Sequence, residues 1–100
     1  MALPTDSAAR KAIPLGTFLL TYFPDAFVAM ARLSAVANDK HNPNEPMHWS
    51  REKSTDHLDC LMRHLMEHDK VDPEDSELHI VKVAWRACAM AQLALEKHRP

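Results

Sequence analysis

Apolar and small positions in this chain fall into three stretches with helical spacing, separated by polar segments that carry proline. From Pro24 onward, Phe27, Met30, Ala31, Ser34 and Ala35 recur every three or four residues, the period of a helix with one buried face. Proline suits a first helical turn because its missing N–H has no partner there, and Asp25 complements the positive helix end. The spacing predicts a helix over 24–38. Pro43 and Pro46 disfavour helix after it, so 39–53 reads as a loop, long for a compact domain. A second helix is predicted over 54–69, capped by Ser54 or Thr55, with Leu58, Leu61, Met62 and Leu65 as its buried stripe.

The third helix is predicted over 73–97. Asp72 reads as its cap, Pro73 as its first residue, and Glu74 and Asp75 as first-turn acids. Its apolar positions, from Ile80, Val81, Val83 and Ala84 through Ala87, Cys88, Met90 and Ala91 to Ala94 and Leu95, cover about half the circumference at 100° per residue. So wide a face in so short a chain predicts completion by a second copy. Before Pro14 and Gly16 the sequence supports only a frayed turn around 6–11, and 1–15 reads as a mobile segment. The expectation is all-α: one domain over 1–100, a small bundle of about three main helices with a long polar loop between the first two, forming a homo-oligomer.

Composition agrees. Hydrophobic residues make up 46% of the chain, too many for a disordered tail. One glycine excludes a glycine-rich phosphate loop, and no serine or cysteine sits in a nucleophile elbow. A net charge of −2 gives no electrostatic attraction to nucleic acid. No apolar run approaches the ~20 residues of a membrane span, and the start lacks a signal peptide's apolar region. A cytoplasmic protein is expected. Cys60 and Cys88 match no zinc or redox spacing and read as reduced core residues.

The polar chemistry gathers in NDKHNPNEPMHWSREKSTDHLDCLMRHL, residues 38–65, which holds four of the seven histidines. On the second helix, His57, His64 and His68 share one stripe, and Asp56 and Asp59 lie beyond the leucines. His64 and His68, four apart, could grip one ion; Asp56 and Asp59, three apart, could hold magnesium. The plain alternative for Asp59 and Arg63 is a surface ion pair of about 0.3–0.5 kcal/mol. On the third helix His79, Lys82 and Arg86 share a face that could meet a phosphate, or could simply be solvated. Trp85 lies apart from them and reads as core or interface. Trp49, in a polar loop, could plug the core or stack on a base.

Three ordered motifs carry a resemblance: ANDKHN with the later Trp49, Leu61-Met62-Arg63-His64-Leu65, and Asp72-Pro73-Glu74-Asp75-Ser76-Glu77-Leu78-His79. In this order the chain resembles the small helical phage and bacterial proteins of the dATP/dGTP diphosphohydrolase N-terminal family. The third motif in that family reads D-x-E-[ST]-G-x-x-H. The resemblance covers nearly everything from Pro14 onward. It implies cleavage of a purine deoxynucleotide between its α and β phosphates, in the host cytoplasm if the chain is phage-encoded. Its motifs point to ligand contacts from Asn38, Lys40, His41, Asn42, Trp49, Arg63 and His79, which join Lys82 and Arg86 on the third-helix face, and an enzyme reading gives catalytic roles to Asp59 and His64. Distantly related MazG-like enzymes hold magnesium with E-x-x-E and E-x-x-D glutamates. This chain has Asp56-x-x-Asp59 instead and no E-x-x-D on its last helix; under an enzyme reading, Asp56, Asp59 and Glu74 would hold Mg2+. The same departure leaves a second reading open: a non-catalytic oligomer that holds a nucleotide, as a phage anti-defence protein sequestering a host signalling nucleotide would.

Overall fold

The computed structural model describes residues 3–99. Five α-helical segments appear in order: α1 (Ser7–Lys11), α2 (Leu15–Thr17), α3 (Pro24–His41), α4 (His57–Met66) and α5 (His79–Lys97). A π-helical turn, Phe18–Tyr22, continues α2, and a 3-10 turn spans Arg51–Lys53. The fold is all-α. No strand forms among the described residues; one isolated bridge joins Val71 and Leu78.

α5 is the element that α3 and α4 pack against. α4 lies along it antiparallel, since His57 meets Arg86 near one end while His64 meets His79 at the other. α3 meets α5 through the Trp85 indole, whose Nε1 donates to Ser34 Oγ at 2.7 Å. The π-turn packs on the start of α3 through edge-to-face contacts of Phe18 with Phe23 and Phe27.

Helix boundaries differ from the expectation for local reasons. α3 runs three residues past Asn38, because Pro43 forbids helix only from Asn42 onward. Neither Ser54 nor Thr55 caps α4: Asp56 holds the cap position, while Ser54 Oγ accepts from Arg86. α5 starts at His79 rather than Pro73. Asp72 does make a capping-type bond, its Oδ1 accepting from Glu74 N at 3.0 Å, but a closed turn follows instead of a helix. Ser76 N donates to the Asp72 carbonyl and Asp72 N to the Glu77 carbonyl, with Ser76 in the left-handed region at φ 62°. The expected turn around 6–11 forms as α1, with Asp6 Oδ2 capping Ala9 N. The helical turns of 15–22 were not foreseen.

The larger correction concerns α4. Its leucine stripe is not buried: Leu58, Met62 and Leu65 are exposed, and the side turned inward carries His57, Leu61 and His64. Cys88 is exposed rather than core. Ala89 is the one buried apolar residue among those described, whereas Asn38, His57, Asp72 and His79 are all buried. The radius of gyration, 15.6 Å, exceeds the ~13 Å of a compact chain of this length. Among the described residues no single helix is long and apolar enough to cross a membrane; one joined pair, Ser7–Tyr22 and Pro24–His41, reaches that composition and bends by 83° at its junction.

Asn38 pins the long loop to α3. Its Nδ2 donates to the Glu45 carbonyl at 3.0 Å, and its Oδ1 accepts from Asn42 Nδ2 and from His48 N, each at 3.3 Å. Replacing it by alanine removes the side-chain partner of the Glu45 carbonyl and the His48 N–H and should cost about 0.5–1.5 kcal/mol per bond lost. Urea unfolding of Asn38→Ala measures that loss; an unchanged midpoint would show that the loop does not depend on this side chain.

Candidate functional site

Two clefts open between α3, α5 and the segments joining the helices. The first, about 460 Å³, is lined by Lys40, His64, Asp72, Glu74, Lys82 and Arg86 among others. The second, about 590 Å³, lies under the long loop and is lined by Asn42, Met47, His48, Trp49, Lys53 and Ser54. They share a wall made by Ser34, Ala37, His41, Trp85 and Arg86. Each falls in the size range of small-molecule sites.

The first cleft is ionic. Lys82 Nζ sits 2.7 Å from Asp72 Oδ2 and 2.8 Å from Asp75 Oδ2. Lys82's hydrogen bond, then that of Glu74 N–H, holds Asp72 below its ordinary pKa. For Asp75, burial pushes upward, but hydrogen bonds from Lys82 and Glu77 N–H outweigh it and the net shift is down. Burial opposes charge on Lys82 too, and its two carboxylate partners reverse that, so its pKa is raised. Beside this triad His64 Nδ1 faces His79 Nδ1 at 2.8 Å, so one ring donates its proton to the other. Burial first, then the positive charge of Lys82, lowers the His64 pKa and favours the neutral ring.

The second cleft is aromatic. Trp49 and Trp85 meet edge to face, 6.1 Å between ring centroids. The Arg51 guanidinium lies 4.5 Å over the Trp49 ring, and Arg86 lies 5.5 Å from the centroid of Trp85. Arg86 also donates to Ser54 Oγ at 3.2 Å and to His57 Nδ1 at 3.0 Å. His57 therefore carries its own proton on Nε2, which is buried without a hydrogen-bond partner.

The structure brings together Lys40, His41, His64, Lys82 and Arg86 around the first cleft and Asn42, Trp49 and Arg86 around the second. His79 is buried behind His64. Asn38 borders the second cleft, but its amide is occupied in holding the loop. Arg63 is exposed on α4, paired with Asp56 at 3.8 Å and donating to Cys60 Sγ. Asp59 is exposed and lines neither cleft. Glu74 pairs with Lys40 at 3.5 Å. Sequence reasoning passed over Asp75 as a mere helix-start acid and saw no polar partner for Trp85. Nothing in the spacing marks either role, since both depend on where the turn and α3 come to lie.

With this arrangement in view, one family model matches residues 4–99: dATP/dGTP diphosphohydrolase, N-terminal. The chain belongs to this family. Comparison with curated proteins and with solved structures gave no match. The family name points to nucleotide handling, and enzymes acting on nucleotide phosphates commonly use a divalent ion.

Magnesium takes oxygen donors. Among the described residues, the one group of three metal-capable side chains within mutual reach is His64, Asp72 and His79, two imidazoles and one carboxylate. Asp56, Asp59 and Glu74 do not converge in this way. The residues present do not fit magnesium, and no chemical step is assigned to it here.

The pKa directions set the pH response of chelator-treated protein. His64 titrates lower when folded, so the unfolded chain binds more protons; stability is full above 6.5 and declines as pH falls below it. Asp72 and Asp75 add a second loss as pH falls below about 3.8. Lys82 contributes in the opposite sense, its share fading only above 10.5. Thermal melts across pH should show a plateau between the neutral and alkaline limits, and Lys82→Met should flatten or reverse the loss below about 3.8 while the loss below 6.5 set by burial of His64 persists.

Proposed function

We propose that the paired clefts bind a purine deoxynucleoside triphosphate and cleave it between the α and β phosphates, releasing a monophosphate and pyrophosphate. The observation that supports this is the shared wall. Arg86 and Trp85 stand where an ionic cleft meets an aromatic one, and a nucleotide has the same polarity along its length. Lys40 and Arg86 would meet phosphate oxygens, with Lys82 held ready between its two carboxylates. Trp49 would stack on the base, and Asn42 and His48 lie close enough to read its edge. His64, kept neutral, could accept a proton from the attacking water.

Lys40→Ala should raise KM for dATP or dGTP about tenfold, the weight of one charge-assisted contact. Trp49→Ala should weaken binding about tenfold or more for every purine. Chromatography of the products decides the reaction: pyrophosphate with a monophosphate supports it, and phosphate with a diphosphate would overturn it.

A second reading is favoured by one observation. Asp72 and Asp75 are both committed to Lys82, which leaves the groove without a free carboxylate pair to activate water. A non-catalytic binder would give a thermal shift with a nucleotide that is recovered intact. Native mass spectrometry with deoxynucleoside triphosphates and cyclic dinucleotides separates the two readings.

In either reading we infer that a second copy covers Leu58, Met62 and Leu65 on α4. These side chains are 57%, 48% and 39% exposed, and the chain alone buries little apolar surface. Asp56 and Asp59 flank this stripe and would lie at that junction. Light scattering of a Leu58→Glu, Met62→Glu double variant should show a single chain where the wild type shows a multiple; a monomeric wild type would overturn the inference.

A further inference from the structure

We propose that His64, Asp72 and His79 bind one divalent transition-metal ion of the zinc, cobalt or manganese class, with its open positions facing the ionic cleft. The three side chains come from three separate places: the last turns of α4, the closed turn after it, and the first residue of α5. One ligand atom from each lies within 4.8 Å of the others. The two nitrogens are both Nδ1, and they point at each other 2.8 Å apart. Each ring offers a lone pair to a metal only in its neutral form. At metal–nitrogen distances of ~2.0–2.1 Å the ion displaces the proton shared by the rings and sits off the line between the two nitrogens, on the side of Asp72, whose Oδ2 lies 4.0 Å from His79 Nδ1.

The surroundings suit a cation. His79 Nε2 faces Glu67 Oε2 at 3.9 Å, a carboxylate behind the ring on the side away from its Nδ1 partners. At that distance the carboxylate acts by its charge, which favours a cation on the ring. Glu67, Asp72, Glu74 and Asp75 supply four negative charges against the three positive charges of Lys40, Lys82 and Arg86. That excess offsets the positive end of α5, which would otherwise repel an ion there. Asp75 keeps hold of Lys82 while Asp72 shares its charge with the metal. His64 and Asp72 line the cleft, so coordination positions left by the protein are open to a ligand, as in metal sites that act on substrates. Two imidazoles with one carboxylate select a transition metal over magnesium.

The test needs no nucleotide, so its failure is separate from failure of the hydrolase or binder reading. Chelator-treated wild-type protein is titrated with Co2+ alone and followed by its visible d–d absorption, then with Zn2+ alone by calorimetry. One equivalent per chain, with Co2+ spectra of low-coordinate nitrogen–oxygen ligation, is the expected result. His79→Ala should abolish uptake, His68→Ala should leave it unchanged, and Glu67→Gln should weaken it about 10- to 100-fold. Because His79→Ala could unfold the chain, the Nδ1 nitrogen shifts of His64 and His79 are also followed by NMR in wild-type protein as Zn2+ is added. Shifts of both nitrogens at one equivalent support the site. Uptake that His68→Ala removes, no uptake by the wild type, or unmoved Nδ1 shifts would each overturn it.

Discussion

Lys82 is the residue on which the arrangement depends. Its ammonium lies between Asp72 and Asp75 and binds the turn after α4 to the body of α5. That turn has few apolar contacts of its own. Without the ion pairs its two carboxylates would face a part-buried cleft unpaired, which is far costlier than leaving them in water. With them, the turn closes through the backbone bonds of Asp72, Ser76 and Glu77, and His79 N reaches back to the Lys70 carbonyl. His79 then stands opposite His64. One side chain thus fixes the position of a turn, the start of a helix and a pair of imidazoles.

The chain buries polar groups and exposes apolar ones to an unusual degree. Asn38, His57, Asp72 and His79 are more buried than any large aliphatic side chain. Each is satisfied by a specific partner, except for the one orphaned nitrogen of His57. Polar contacts of this kind fix geometry more than they add net stability. Stability must then come from apolar surface, and that surface faces outward along α4 and the aromatic cluster around Phe18. Such a division makes the groove well defined within one chain and leaves the energetics to the surroundings of the chain.

Much of the fold was legible. Helical periodicity marked α3, α4 and α5, and proline marked where α3 had to stop. The inside of α4 was not legible. Periodicity shows that a helix has two faces but not which one meets its neighbour, and here the histidine face wins because Arg86 and His79 wait on α5 as partners. The start of α5 failed for a related reason. Asp72-Pro73-Glu74 fits a helix start locally, yet Lys82 captures Asp72 and Asp75 from ten and seven residues downstream. Within the site, Lys40, His41, Asn42, His64, Lys82 and Arg86 were marked by residue type and order and do line the clefts. Asp59 and Arg63 looked equivalent to them in one dimension, but lie on the other side of α4 once it is placed.

Ser76 adopts the left-handed backbone that glycine takes without strain. A φ of 62° puts a Cβ against the following carbonyl, a strain of about 1–2 kcal/mol that glycine would not feel. This chain therefore holds Asp72 and His79 on a turn under tension. A strained turn opens locally at less cost than the helices on either side of it, so exchange of its amides should run ahead of theirs. A ligand that engages Asp72 and His79 together must first quiet that motion, which makes the fit between turn and ligand a matter of kinetics as well as of affinity.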